Sequence, residues 1–143
     1  MQSDPHMGIP ALRVSLQTNT LTTPAVERAR PLSELAGVVS TKLEKLRRAG
    51  DYVTIGALLP DVLDELHYHA ALPADEAAHR LALQTLAEAC VCATFTAKNL
   101  NYTDLAHLAA RRAWEAASLL DDPITLGQSQ LRLAAHAATG RLA

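Results

Sequence analysis

Apolar residues recur three and four positions apart through most of this chain, the spacing that gathers them on one face of an α-helix. Leu32, Leu35, Val39, Leu43 and Leu46 make the first such stripe. Pro31 suits the opening of that helix, Lys42, Lys45, Arg47 and Arg48 decorate its end, where cations suit the helix dipole, and Gly50 closes it. Tyr52, Ile55, Leu59, Leu63 and Leu66 define a second helix reaching about Ala71, with Pro60 inside it expected to kink or split it. After Leu72-Pro73 a third helix is predicted from about Ala74 to Leu100. Its Leu81, Leu83, Leu86, Cys90, Val91, Ala93 and Phe95 leave it apolar on most sides, so it should be covered on more than one face. A fourth helix spans about Tyr102 to Leu120, with Leu105, Leu108, Ala109, Arg112 and Ala116 in phase, and a last one covers about Pro123 to Thr139. Short turns between long helices imply antiparallel helical hairpins.

Composition agrees. Alanine (27) and leucine (24) dominate the apolar residues, whereas valine and isoleucine together number 10 and aromatics five, so a sheet-centred fold is excluded in favour of all-α. At 143 residues the chain holds one domain. Residues 1–7 read as an expression scar, because His6-Met7 matches a cloning junction. Residues 8–30, with Pro10, Pro24 and the run Gln17 to Pro24, read as a linker with little regular structure beyond a short turn at Leu12–Leu16. A single helical domain is expected over 31–143.

Charge and cysteine usage narrow the function. A formal net charge of −2 gives no footprint for a nucleic-acid backbone. No run of 18 apolar residues occurs, and neither a membrane span nor an export signal is present, so a cytoplasmic location is expected. Cys90 and Cys92 diverge around a helix and are expected to be buried, inert thiols. His67 and His69 diverge likewise, by about 200°, so no metal site is expected there. Each shares a face with a carboxylate, Asp64 for His67 and Glu65 for His69, which suggests ordinary surface pairs.

No phosphate loop, nucleophile elbow or H-E-x-x-H motif occurs, so neither an enzyme nor a cofactor is expected. Asp104, His107 and Arg111 line one side of the fourth helix and read as a row of surface ion pairs rather than an acid–base centre. The basic cluster Lys42–Arg48 is interrupted by Glu44 and lacks aromatic company, so it reads as a solvated face. The candidate ligand or partner groove is the polar and aromatic group Asn99, Asn101, Tyr102, Asp104, His107, Arg111 and Trp114, since such side chains line the grooves of stacked helix pairs.

The run Tyr52-Val-Thr-Ile-Gly-Ala-Leu-Leu-Pro-Asp-Val-Leu-Asp-Glu-Leu-His67 contains Tyr-x2-Ile-Gly-x2-Leu, which resembles the first helix of a tetratricopeptide repeat. Together with Leu86-Ala-Glu-Ala89, the segment from Asp104 to Trp114 and on to Asp122-Pro123, and Ile9-Pro-Ala-Leu-Arg13, it resembles the C-terminal regulatory region of actinobacterial Xre-type helix-turn-helix transcriptional regulators. The resemblance spans about residues 8–140. It implies a degenerate tetratricopeptide-like array that binds a protein or small-molecule effector, with DNA contacted only through an N-terminal domain absent from this sequence. The alternative is a homodimerisation or scaffold module without a ligand. Two departures stand out: the helix-turn-helix itself is missing, and Thr94 to Tyr102 replaces the family's Leu-Gly-like run.

Overall fold

A computed structural model describes residues 4–120, and within them every regular element is helical. After a 3-10 turn at Pro5–Gly8 come α1 (Ile9–Thr18), α2 (Leu32–Gly37), a π-helical segment (Val38–Leu43), α3 (Glu44–Ala49), α4 (Tyr52–Ala71), α5 (Glu76–Asn99) and α6 (Thr103–Ser118). The helix expected at about Pro123–Thr139 lies outside the described residues.

The helix ends follow local chemistry. Gly50 terminates α3 at φ +70°, a left-handed conformation that glycine adopts without a Cβ penalty. Asp51 then caps α4, its carboxylate accepting from the Thr54 amide at 3.1 Å and the Thr54 hydroxyl at 2.8 Å. Asp75 caps α5 through the Ala78 amide at 2.8 Å. Asn101, at φ +70°, turns the chain between α5 and α6, where asparagine tolerates what a branched residue would not.

Helix α5 is the central element. Ala82, Leu83, Leu86, Ala89, Cys90, Ala93 and Ala97 are all buried on it, and α4, α6, α2, α3 and the π-helical segment pack around it. Alanines dominate its seam with α6, where Ala106, Ala109, Ala113 and Ala116 are fully buried, so the two backbones approach closely. The stripe Ile55, Leu59, Leu63 and Leu66 is fully buried on α4, as periodicity predicts. None of the helices among the described residues is long and apolar enough to cross a membrane.

Two expectations are corrected. Residues 8–30 are not without regular structure: α1 occupies ten of them and buries Ile9, Leu12 and Leu16 against α4 and α6. Its apolar stripe is short and flanked by Pro10 and threonines, so periodicity undervalues it; tertiary burial decides the outcome. The second concerns Pro60, expected to kink or split α4: of these the split does not occur, since the helix runs unbroken across it. Proline removes the donor that the Gly56 carbonyl would meet one turn on. That carbonyl lies against Gly8, where a Cβ would come within 2.6 Å of it. The two glycines thus form a close crossing of the N-terminal segment over α4.

Candidate functional site

The surface of α4 that faces α1 carries a row of polar residues, and each holds part of the N-terminal segment. Asp64 Oδ1 accepts from the Ser15 hydroxyl and from Asn19 Nδ2, both at 2.7 Å. Asn19 is fully buried; its Nδ2 also donates to the Ser15 carbonyl at 2.9 Å, closing α1, while its Oδ1 accepts from the Ala25 amide at 2.7 Å. The next residue, Glu65, takes the Arg30 guanidinium at 2.9 and 3.1 Å and the Arg30 amide at 2.8 Å. His69 Nε2 donates to the Arg30 carbonyl at 2.7 Å. The loop from Asn19 to Pro31 is therefore pinned at both ends to α4. Burial alone raises the Glu65 pKa, but the Arg30 hydrogen bonds outweigh it and hold the carboxyl below its ordinary range.

Between α1, this loop and α4 lies a cleft of about 430 Å³. Pro10, Ala11 and Val14 of α1 and Ala25 and Val26 of the loop give it apolar walls, with Pro60 on α4. Ser15, Thr18, Asp61 and Asp64 supply its polar groups.

Behind the cleft, in the interior, Arg112 of α6 joins three helices. Nη1 donates to His67 Nε2 at 2.6 Å, Nη2 to the Leu16 carbonyl at the end of α1 at 3.1 Å, and Nε to Glu115 at 3.1 Å. Arginine has no acceptor, so His67 Nε2 must be unprotonated; Nδ1 carries the proton and donates to the Leu63 carbonyl at 2.7 Å. His67 is thus a neutral, fully buried imidazole. Burial, with the Arg112 charge adding to it, lowers its pKa from 6.5 to about 4 against the opposing Leu63 hydrogen bond and Asp64.

This corrects the expected surface pairing of the two histidines. His67 is interior and meets an arginine, not Asp64, and Asp64 turns instead to Ser15 and Asn19. His69 and Glu65 do share a face, but each binds Arg30 rather than the other. Arg112 sat in phase with the apolar stripe of its helix, a buried position for a cation and the one signal in the sequence for this network.

The seven residues grouped as a groove do not converge on one. Asn99 donates to the Phe95 carbonyl of its own helix at 2.7 Å, and Asn101 forms the turn. The Tyr102 hydroxyl meets His6 Nδ1 at 2.8 Å with the rings edge to face, and Asp104 binds Arg13 of α1 at 2.6 Å. Asp104 therefore clasps α1 instead of continuing an ion-pair row with His107 and Arg111. His107 and Arg111 lie exposed on the outer side of α6 with Trp114, which is 62% exposed. The group divides into a clasp on the N-terminal segment and an open stripe.

The burial expected of the two cysteines is met. Cys90 and Cys92 are buried free thiols, and burial pushes their pKa values up to about 12 and about 11, far from thiolate chemistry. Of the basic cluster, Arg47 and Arg48 both bind Glu44, at 2.7 and 3.3 Å, and the Arg47 hydrogen bond holds that carboxyl below its ordinary range. Among the described residues no three histidine, cysteine or carboxylate side chains group as metal ligands. No known protein family, curated protein or solved structure matches the chain.

Proposed function

We propose that the chain is the regulatory module of a transcriptional regulator, a degenerate tetratricopeptide-like array of antiparallel hairpins that binds an effector and leaves DNA recognition to a domain outside it. The helical content, the short turns joining α4 to α5 and α5 to α6, and the alanine-rich α5–α6 seam support the hairpin array. The observation that carries the effector reading is the cleft, because its walls belong to different elements: α1 and its loop on one side, α4 on the other. A ligand touching both favours the docked position of α1 over any other, and differential affinity of this kind is what shifts a conformational equilibrium. The reading assigns the chain no catalytic step.

Hydrogen exchange of the purified chain with and without pooled small metabolites tests it. Protection concentrated in Ile9–Thr18 and Tyr52–Ala71 is the expected result. Unchanged exchange in both helices with every pool overturns it.

A second reading, a homodimerisation or scaffold module, is favoured by one observation. Trp114 on α6 is 62% exposed, and Leu119, just past the end of that helix, is 56% exposed; exposed aromatic side chains are enriched at association sites. Sedimentation across a concentration series tests that reading, with a monomer throughout counting against it.

A further inference from the structure

We infer that the cleft between α1 and α4 takes a small organic cation, an ammonium or guanidinium group carried on a compact apolar body. The inference rests on the effector reading above and names the ligand's chemistry. Three features point to it together.

The first is charge. Asp61 and Asp64 both line the cleft, and neither has an ion-pair partner among the described residues. Arg30, the cation whose field reaches Asp61, is committed to Glu65 and Glu34. The cleft therefore holds two carboxylates that no ion pair among the described residues neutralises.

The second is preorganisation. Ser15, 3% exposed, and Asn19, fully buried, both direct their hydrogen bonds to Oδ1 of Asp64. That fixes the carboxylate while leaving Oδ2 outside these bonds. A carboxylate held in place before binding forms a charge-assisted hydrogen bond without the entropy of ordering its own side chain.

The third is the apolar wall. Val14 is 56% exposed on α1, facing the same space as Pro10, Val26 and Pro60. Covering those groups favours a ligand with a hydrocarbon portion over an inorganic ion. The donor set agrees, since the described residues offer no third metal-ligating side chain beside the two aspartates. The volume falls within the range of small-molecule sites, toward its lower end.

Amide chemical-shift titration of the whole chain with 2-phenylethylammonium, 2-phenylethanol and phenylacetate tests this. The three probes share a ring and differ in charge. The ammonium should give saturable shifts centred on Val14, Ser15, Asp61 and Asp64, with affinity about tenfold or more above the alcohol and phenylacetate weakest. Asp61→Asn, at an exposed position outside the hydrogen-bond network, should weaken the ammonium about three- to tenfold and leave the alcohol unchanged. Equal shifts from all three probes would overturn the charge class while leaving an effector cleft standing. No saturable shift at those four residues would overturn the inference itself, and the metabolite-pool exchange experiment then decides separately whether the effector reading survives.

Discussion

His67 sets the acid limit of this protein. Its folded-state pKa of about 4 lies below the ordinary 6.5, so between those values the unfolded chain binds more protons than the folded one. Stability is therefore full above about pH 6.5 and falls as pH drops toward 4, by about 2 kcal/mol at pH 5 from this group alone. The carboxylates Glu44, Glu65 and Asp104, whose folded pKa values are lowered, contribute stability that is present above their unfolded values and lost only in more acidic solution. Those windows lie lower; Glu88, whose carboxyl pKa burial raises, contributes in the opposite sense, losing stability as pH rises, so His67 is isolated by comparing urea unfolding of the parent chain and a His67 variant at pH 5 to 7.5. In His67→Gln the slope over that range should flatten, whatever the variant's absolute stability; an unchanged slope would show that His67 is not the titrating group. Arg112 gives a second test. Arg112→Met leaves the Leu16 carbonyl and His67 Nε2 buried without their donor, and should cost about 2–4 kcal/mol in urea unfolding. Arg112→Lys should recover little of it, because an ammonium cannot reach three acceptors in a planar fork. The residue types of this network stood in the sequence, but His67 and Arg112 are 45 positions apart, and periodicity carries no information on pairs so distant.

At the scale of elements, burial on two sides and burial on one were read with unequal success. The bounds of α4 match expectation and those of α5 and α6 fall within two residues, because each repeats its apolar residues over many turns, and aspartates cap the starts of α4 and α5. Helix α1 has only Ile9, Leu12 and Leu16 to show, and what holds it comes from elsewhere: Asp64, Arg112 and Asp104 on other helices, and the crossing of Gly8 over Gly56. The same remoteness hid the cleft, whose walls come from segments about fifty positions apart, while the proposed groove gathered residues that are neighbours along the chain but have different partners: Tyr102 and Asp104 turn to the N-terminal segment, and His107, Arg111 and Trp114 stay exposed on α6. The crossing makes an asymmetric prediction. A Cβ on Gly8 would lie 2.6 Å from the Gly56 carbonyl oxygen and 2.7 Å from its Cα, both backbone atoms that cannot step aside. Gly8→Ala should cost about 1–3 kcal/mol and raise hydrogen exchange in Ile9–Thr18. A Cβ on Gly56 meets its nearest neighbour, the Gly8 Cα, at 3.4 Å, an ordinary contact. In mid-helix, Gly56→Ala should then be neutral or stabilising by up to about 1 kcal/mol. Thermal unfolding of the two variants side by side checks the sign of each.

For the whole molecule, the question is which surface responds to a partner, and the only tryptophan of the chain can report on it. Trp114 projects from α6 beside Arg111 and His107 and remains 62% exposed, on the side of α6 away from its alanine seam with α5. The cleft lies between α1 and α4, so the two proposed modes of action engage different elements. In dilute solution Trp114 should emit as a solvated indole and be quenched readily by acrylamide. Trp114→Ala should leave monomer stability within about 0.5 kcal/mol, as expected for a largely exposed side chain outside the core. If the chain instead acts by self-association through this stripe, emission should shift to the blue and quenching should fall as concentration rises, and Trp114→Ala should abolish both changes. An effector acting through the cleft gives another pattern: Trp114 emission independent of concentration, with exchange protection confined to α1 and α4. The pair of measurements assigns regulation to one surface or the other, because no step of the cleft mechanism covers Trp114 and no step of the dimer mechanism orders α1.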